Sequence, residues 1–315
     1  GSVTAGAAVH HVWSRGMQGA VQATDTQQKE LTDKGAAVVS KEQKDYSKLA
    51  VTDNGITITP ETIIVDENFA HIAFSVKGYD LAEGDEPGFD DWNIGVKDGK
   101  EGSSVQAYGG FYDGIVSDEN GNPVYEDGSS LKEDEQGQII SHNVDEDGNL
   151  EYVASIGVAD WKDSLLGKTI VCKLKDLGTL YKTRFTLAQE GNWDFEIKLP
   201  DVSTASNIKV AKGIENTPFT VDDVELSPIS IKINYSVNGE VTFKEDTNQV
   251  PQFLGVILKD GKKISFLGDA GGTGYNEAMT EAYTLSSFVQ VIEPDQVQAI
   301  ILRNDDGEQI EIPIR

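Results

Sequence analysis

The sequence predicts a mostly β protein with two tandem β-sandwich domains after a short N-terminal helical segment. From Leu49 onward, apolar and polar residues alternate with a period of two in many short stretches, which is typical of half-buried strands. Turn residues such as Asp-Gly and Asn-Gly separate these stretches at the spacing of an all-β sandwich. The length of 315 residues fits about two domains.

The N-terminal segment, residues 1–48, carries the main helical pattern. Apolar residues recur at steps of three and four between residues 9 and 34, which predicts an amphipathic helix. Its apolar face consists of Val9, Trp13, Met17, Ala20 and Val21. Gly35 follows as the expected stop. A second short helix is predicted over residues 40–48.

The first β domain is predicted over residues 49–200. Its predicted strands cover residues 56–59, 62–65, 69–77, 94–97, 152–158, 169–174, 181–187 and 193–199. Pro60 marks an edge or a bend in the first of them. Asp98-Gly99 is a strong hairpin signal after the fourth.

Residues 113–151 interrupt this domain and differ from it in composition. They hold twelve acidic residues and one basic residue, Lys132. Turn dipeptides stand at Asn120-Gly121, Asp127-Gly128 and Asp147-Gly148. We interpret this stretch as a long, solvated hairpin excursion and call it the acidic excursion. Its charge favours cationic partners or divalent ions, so it is the candidate contact surface.

A linker or connecting strand is predicted over residues 201–217, followed by a C-terminal β domain over residues 218–315. The predicted strands of that domain are residues 219–226, 229–237, 253–258, 262–267, 285–291, 297–302 and 309–314. Hairpins are predicted at Asp260-Gly261 and Asp306-Gly307. The glycine-rich stretch 268–274 is predicted to be a flexible loop.

Two short matches suggest that the two β domains are related. Phe74–Gly78 matches Tyr235–Gly239, and Lys97–Lys100 matches Lys259–Lys262. Duplication is one explanation. The other is that both domains are ordinary β-meanders that share common turn chemistry.

Composition excludes several classes of partner and site. Lys and Arg number 26 against 53 Asp and Glu, a net charge of -27. That balance argues against binding to nucleic acid and against docking on an anionic lipid surface. The single cysteine, Cys172, allows no internal disulfide and no multi-thiolate metal site. It lies in an alternating strand, where a small core residue is expected.

The sequence has no stretch of about 18 apolar residues that could span a bilayer. The start, Gly1–Gly6, lacks the pattern of a secretory signal. Two interpretations remain open: a cytoplasmic protein, or the outer part of a membrane protein whose anchor lies upstream.

One acidic turn partly resembles a calcium-binding loop. Asn143, Asp145, Asp147 and Gly148 occupy the first, third, fifth and sixth places of an EF-hand-like loop. The twelfth place requires a bidentate glutamate but holds Ala154. A solvated hairpin tip is therefore favoured over a calcium site.

Catalytic and ligand-binding patterns are also weak. Gly167-Lys168-Thr169 resembles the end of a P-loop, but Lys162 stands where the first glycine should be. The histidines are His10, His11, His71 and His142. His71 lies in a strand and is expected to be structural. The tryptophans Trp92, Trp161 and Trp193 could form a sugar-stacking face, but core packing is favoured. We assign no catalytic, cofactor-binding or metal residue, and predict a protein that is not an enzyme.

Several motifs resemble the extracytoplasmic region of anti-sigma-factor-like membrane proteins of Gram-positive bacteria, a domain of unknown function. In the first β domain they are Gly55–Glu61, Val65-Asp66, Phe74–Leu81, Phe111–Gly114, Val144–Gly148, Leu177–Thr179 and Gly191–Phe195. Val224–Ser230 resembles the start of the second, immunoglobulin-like domain of these proteins. The resemblance implies two tandem immunoglobulin-like β-sandwich domains, with residues 13–35 lying just outside the membrane.

The resemblance also implies a role. In this family a short cytoplasmic region and one transmembrane helix precede the outer domains, so this chain would be a soluble outer portion on the extracytoplasmic side of the cell membrane. It would be a non-enzymatic sensor or interaction region that binds a protein or a cell-envelope ligand. A cell-wall or carbohydrate-binding module is the alternative, and a hydrolase is the least favoured class.

Overall fold

The computed structural model describes residues 13–40, 46, 48–97, 105–182, 184–239, 241 and 249–315. Strands account for 54% of the structure and helices for 7%, so the predicted mostly β class is confirmed. Every paired strand is antiparallel.

The described residues form two short helices, twenty strands and one 3-10 turn (Pro294–Gln296). The helices are α1 (Arg15–Ala20) and α2 (Asp25–Asp33). The strands are β1 (Ala37–Val39), β2 (Val51–Asp53), β3 (Ile56–Val65), β4 (Phe69–Lys77), β5 (Glu86–Val96), β6 (Val105–Phe111), β7 (Ile115–Ser117), β8 (Pro123–Tyr125), β9 (Leu150–Val158), β10 (Thr169–Tyr181), β11 (Arg184–Lys198), β12 (Ser206–Gly213), β13 (Phe219–Leu226), β14 (Ser230–Val237), β15 (Gln252–Leu258), β16 (Lys263–Ile264), β17 (Gly268–Tyr275), β18 (Glu281–Phe288), β19 (Val297–Arg303) and β20 (Gln309–Pro313).

The first sandwich consists of a six-stranded sheet and a three-stranded sheet. The larger has the order β1-β3-β4-β9-β6, with β2 also paired to β3, and the smaller has the order β11-β10-β5. Their inner faces share one apolar core. Phe74 in the larger sheet and Phe195 in the smaller one have ring centroids 5.1 Å apart. Alternate residues of each strand therefore fill the layer between the sheets, as the period of two predicts.

The second sandwich repeats this arrangement. Its sheets have the orders β12-β13-β14-β18-β17 and β16-β15-β19-β20. Phe253 and Phe288, one from each sheet, pack with ring centroids 5.7 Å apart in a second apolar core. The immunoglobulin-like assignment and the domain boundaries stay predictions.

Eight strands of each sandwich correspond in order, and β2 and β16 have no counterpart. In the larger sheets β1, β3, β4, β9 and β6 occupy the places of β12, β13, β14, β18 and β17. In the smaller sheets β5, β10 and β11 occupy those of β15, β19 and β20. The matched glycines Gly78 and Gly239 both follow the central strand and have positive φ, 91° and 106°. The shared topology favours duplication over a chance likeness of turns.

The predicted single helix over residues 9–34 is wrong in its described part. Two helices form instead, because Val21 ends α1 in an extended conformation with φ -140°. Thr24 then begins α2 with a capping box in which its side chain and that of Gln27 bond reciprocally to backbone amides. Residues 9–12 and most of the second predicted helix, 40–48, lie outside the described residues.

The predicted strand 181–187 is also wrong. A tight turn interrupts it, since Tyr181 pairs with Arg184 across the β10–β11 hairpin. Lys182 takes the left-handed conformation there, with φ 56°. That conformation usually requires glycine or asparagine, so the sequence held no turn signal. The predicted strand 169–174 extends to this turn as β10, and the predicted strand 193–199 belongs to β11, which begins directly after the turn.

The glycine-rich stretch 268–274 is a strand rather than a flexible loop. It forms most of β17, the edge strand paired with β18. Gly271 has φ 148°, and a Cβ atom there would lie 2.0 Å from the carbonyl oxygen of Leu285. The glycine therefore permits close backbone approach at a bulge.

Of the other hairpin predictions, two agree with the structure and one does not. Asp260-Gly261 and Asp306-Gly307 do join paired strands, β15 to β16 and β19 to β20. Asp98-Gly99 lies outside the described residues, and the strands on either side, β5 and β6, belong to different sheets. A simple hairpin between them is thus wrong, because the chain crosses from one layer of the sandwich to the other.

The two helices of the N-terminal segment pack on the outer face of the larger sheet of the first sandwich, and its strand β1 belongs to that sheet. Trp13, Met17 and Val21 are buried, as the helical pattern predicted. They form a cluster with Ile64 from β3 and Val291 from the second sandwich. The segment therefore lies at the junction of the two sandwiches.

Candidate functional site

The acidic excursion is the connection between β6 and β9, two paired strands whose ends meet at Phe111 and Tyr152. In the structure, the excursion is thus a long connection between two antiparallel neighbours of one sheet. At the corresponding place in the second sandwich, a short turn from Asn276 to Thr280 joins β17 and β18. The excursion is therefore an insertion at a position where the related sandwich needs only a few residues.

Three turns of the excursion have the same construction, which the sequence analysis missed. They follow the pattern Asp-Glu-x-Gly-Asn/Gln at residues 118–122, 134–138 and 145–149. In each, the aspartate carboxylate accepts hydrogen bonds of 2.8–2.9 Å from the backbone amides two and four residues later. The glycines have φ between 77° and 81°. The five-residue repeat was the signal available in the sequence.

This construction explains the EF-hand-like residues. The carboxylate of Asp145 already accepts hydrogen bonds from the backbone amides of Asp147 and Asn149 within the turn. Asn143 is buried and donates from Nδ2 to the carbonyl oxygen of Tyr112 at 3.4 Å. Within the described part of the chain, no group of three or more His, Cys, Asp or Glu side chains is placed to hold a metal ion.

Tyr125 is the internal anchor of the excursion. Its side chain is 1% exposed and stacks on His142, with ring centroids 3.9 Å apart. Its hydroxyl donates to the carbonyl oxygen of Ile140 at 2.7 Å and accepts from the amide of Lys132 at 3.1 Å. A single aromatic residue thus organises a stretch that has little apolar core of its own.

Arg15 in α1 attaches the excursion to the N-terminal segment. Its Nε donates to both carboxylate oxygens of Glu126 at 3.0 Å, and its Nη2 donates to the carbonyl oxygen of His142 at 3.0 Å. The guanidinium lies 5.2 Å from the ring centre of Tyr112. Nη2 also lies 2.9 Å from Oε1 of Glu126, so two guanidinium nitrogens contact the carboxylate and hold the base of the excursion in one orientation.

A cleft of about 460 Å³ lies beside this attachment. Its walls come from the N-terminal segment, the excursion and the second sandwich, and include Trp13, Gln22, Tyr112, Val116, Glu126 and Val291. Burial raises the pKa of Tyr112, with a further contribution from the charge of Glu126. The phenol therefore stays protonated at neutral pH, so its oxygen is not available there as a phenolate base.

The outer surface of the excursion combines carboxylates with apolar side chains. Its exposed acidic residues are Glu119, Glu126, Asp127, Glu133, Asp134, Glu135, Glu146 and Asp147. Between the last two turns, Ile139, Ile140 and Val144 are 46%, 40% and 42% exposed. A cationic partner with apolar side chains would match both features.

The tryptophans do not form one face. Trp193 is buried in the core, as predicted, and donates from Nε1 to the carbonyl oxygen of Ile56 at 3.2 Å. Trp161 is half-buried and stacks on Tyr283 of the second sandwich at 5.1 Å. Trp92 is 38% exposed, so its predicted core position is wrong. It lies in β5, an edge strand with one open side.

His71 and Cys172 are both buried in the first sandwich. His71 is buried, with Nδ1 2.8 Å from the hydroxyl of Ser155, and burial lowers its pKa to about 4. Cys172 is a buried free thiol whose pKa is raised to about 12 by burial. Gly167-Lys168-Thr169 is the turn before β10. His10 and His11 lie outside the described residues.

No family model matches the sequence, and no curated protein matches it. One similar solved structure is described as the crystal structure of the conserved domain protein from Bacillus anthracis. It is 11% identical, with a TM-score of 0.49, over 86% of this chain and 94% of that one.

None of the described helices combines the length and the apolar character that crossing a bilayer requires.

Proposed function

We propose that this chain is the non-enzymatic extracytoplasmic sensor or interaction region of a membrane-anchored, anti-sigma-factor-like regulator of a Gram-positive bacterium. The sequence motifs that resemble this family support the assignment to such a regulator. The acidic excursion supports the interaction role, because it is inserted at a position where the second sandwich has a short turn. Loops carried on a rigid sandwich commonly hold binding residues.

The partner we propose is a protein segment with basic and apolar side chains. The exposed carboxylates favour cations, and Ile139, Ile140 and Val144 offer apolar contact area. The carboxylates would guide and orient the partner, while burial of the isoleucines would supply most of the affinity.

The test uses the soluble chain as bait for detergent-extracted native membranes. A triple variant should capture at least about tenfold less partner than the wild-type bait. Its three substitutions are Glu133→Gln, Glu135→Gln and Glu146→Gln. The matched control neutralises three exposed glutamates elsewhere: Glu215→Gln, Glu277→Gln, Glu308→Gln. Equal capture by the excursion variant and the wild type would refute the excursion as the contact surface.

The membrane anchor has a separate test. The gene should encode a transmembrane helix immediately before Gly1. An upstream region without an apolar segment of about 20 residues would refute the anchored regulator.

A cell-wall or carbohydrate-binding module is the alternative. Two aromatic residues on the first sandwich favour it, since Trp92 and Tyr181 are 38% and 69% exposed. Aromatic rings on a surface stack on sugar rings. A glycan array with clear hits that are lost in Trp92→Ala or Tyr181→Ala would favour this function over the first.

A further inference from the structure

A lysine, a glutamate and an asparagine meet where the two sandwiches touch. Glu225 in β13 and Lys232 in β14 are direct cross-strand partners on the outer face of the larger sheet of the second sandwich. Asn68 lies opposite them, in the turn between β3 and β4 of the first sandwich. The three residues thus come from two units that are joined by a long stretch of chain.

Both nitrogen groups contact the same oxygen atom. Asn68 donates from Nδ2 to Oε1 of Glu225 at 2.8 Å. The Nζ of Lys232 lies 3.3 Å from that oxygen. The amine and amide nitrogens are therefore within about 6 Å of each other. Formation of a bond between them requires changes of side-chain torsion angles that bring Nζ of Lys232 to Cγ of Asn68.

The site is shielded from water. Asn68 is 1% exposed, and the side chains of Lys232 and Glu225 are 13% and 15% exposed. The amide oxygen Oδ1 of Asn68 is buried and has no hydrogen-bond partner among the described residues.

The turn that carries Asn68 is held in place from both sides. Asp66 accepts from the backbone amides of Asn68 and Phe69 with one carboxylate oxygen. With the other it accepts from the hydroxyls of Ser227 and Ser230 in the second sandwich. Asp66 is thus a positioning residue that keeps the amide against the lysine.

We propose that Lys232 and Asn68 form an amide bond that links the two sandwiches covalently, with Glu225 as the proton carrier. Glu225 takes a proton from the ammonium of Lys232, and the neutral Nζ attacks Cγ of Asn68. The C–N bond to Nζ forms, and the C–N bond to Nδ2 breaks. The proton held by Glu225 passes to Nδ2, which leaves as ammonia. Glu225 then takes the second proton from the positively charged Nζ and passes it to the ammonia, so that a neutral amide and an ammonium ion remain. No oxidant or other reactant is consumed.

Proximity and water exclusion make the reaction possible. Amides resist attack by amines in solution, but a fixed amine with an adjacent acid and base gains from high effective concentration and from proton transfer in the transition state. Water, the competing nucleophile, is largely excluded at this junction.

The test is the intact mass of the purified full chain, measured after denaturation. The mass should be lower than that of the sequence by one ammonia. Trypsin should then release a branched peptide in which residues 49–77 are joined to residues 213–244, because Lys232 is blocked. An intact mass equal to the sequence mass would overturn the proposal.

Variants separate this bond from other losses of ammonia, such as cyclisation at an Asn-Gly pair. Lys232→Arg should restore the full sequence mass, and Glu225→Gln should lower the linked fraction at least about tenfold. Circular dichroism checks that both variants are folded. Ammonia loss that persists in Lys232→Arg would refute the proposed bond.

The chain contains a matched control. Lys209 and Asn234 both contact Asp223, at 3.4 Å and 2.7 Å, but the Lys209 side chain is 87% exposed. Lys209→Arg should therefore retain the loss of one ammonia and the branched peptide. Loss of the link in this variant would contradict the assignment to Lys232.

Discussion

At the scale of single residues, the junction of the sandwiches depends on buried polar groups with specific partners. Asp66 is fully buried and accepts four hydrogen bonds. Burial raises the pKa of its carboxyl group, and the hydrogen bonds from Ser227 and Ser230 oppose that change. Removing the carboxylate would leave two hydroxyls and two amides without their acceptor.

Asp66→Ala should therefore lower the free energy of unfolding by roughly 3–5 kcal/mol. Urea unfolding followed by tryptophan fluorescence measures the change. The control is Asp127→Ala, an exposed aspartate in the excursion, which should change stability by under about 1 kcal/mol. Equal effects of the two substitutions would contradict a structural role for the buried carboxylate.

His71 predicts a pH dependence of stability. Its pKa is about 4 in the folded protein, against about 6.5 when unfolded, so the unfolded chain binds more protons between these values. The stability that the neutral imidazole contributes is complete above about pH 6.5 and falls as the pH drops toward 4, by up to about 3 kcal/mol.

His71→Gln keeps a neutral hydrogen-bonding group and removes the titration. The difference in unfolding free energy between wild type and this variant should shrink as the pH falls from 6.5 to 4. The comparison isolates His71 from Asp66, whose raised pKa acts in the opposite direction as the pH rises. Parallel pH profiles of the two proteins would show that the imidazole remains accessible to protons.

At the scale of elements, β17 shows how a glycine-rich sequence becomes a strand. Gly271 combines positive φ with close approach to the backbone of β18, whereas the neighbouring Gly272 has open space around it. Glycine has a low intrinsic tendency to form strands, so the sequence of β17 does not favour one. The segment is a strand because it pairs with β18.

Gly271→Ala should destabilise the second sandwich by roughly 2–4 kcal/mol, because the new Cβ would meet backbone in a conformation that alanine avoids. Gly272→Ala is the matched control and should be nearly neutral. Thermal unfolding of both variants measures the difference. If both lose the same stability, the strain assigned to Gly271 is wrong.

At the scale of the whole molecule, the N-terminal segment joins parts that are distant in sequence. Gln22 exchanges backbone hydrogen bonds with Val289 and Val291 of the second sandwich, at 2.9 Å and 2.7 Å. Arg15 holds the excursion, and Trp13 is buried in the cluster between the sandwiches. The segment is thus a structural bridge between both sandwiches and the candidate contact surface.

Trp13→Ala should lower the free energy of unfolding by about 3–5 kcal/mol, because it leaves a large cavity in this bridge. Calorimetry should then show the two sandwiches unfolding in separate transitions. Trp92→Ala, the same change at an exposed position, should preserve the unfolding profile. An unchanged profile for Trp13→Ala would mean that the sandwiches are not coupled through the segment.

The sequence predicted elements where local pattern and local structure agree. Phe69–Lys77 matches β4, a nearly continuous apolar run that is buried on both faces, and Phe219–Leu226 matches β13, in which burial alternates. Both runs end at turn residues. It failed at Lys182 and at Gly271, where tertiary pairing imposes a conformation that local propensity opposes. The excursion was recognised by its charge, but its attachment through Arg15 lies more than a hundred residues away in sequence.

The sequence by itself determined the β class, the acidic excursion and most hairpin positions, because periodicity, charge and turn chemistry are local properties. Only the tertiary structure decided the shared strand order of the sandwiches, the bridge through the N-terminal segment and the meeting of Asn68, Glu225 and Lys232. These features depend on contacts between residues far apart in the chain. No local pattern in the sequence encodes such contacts, because segments at very different sequence separations can form them.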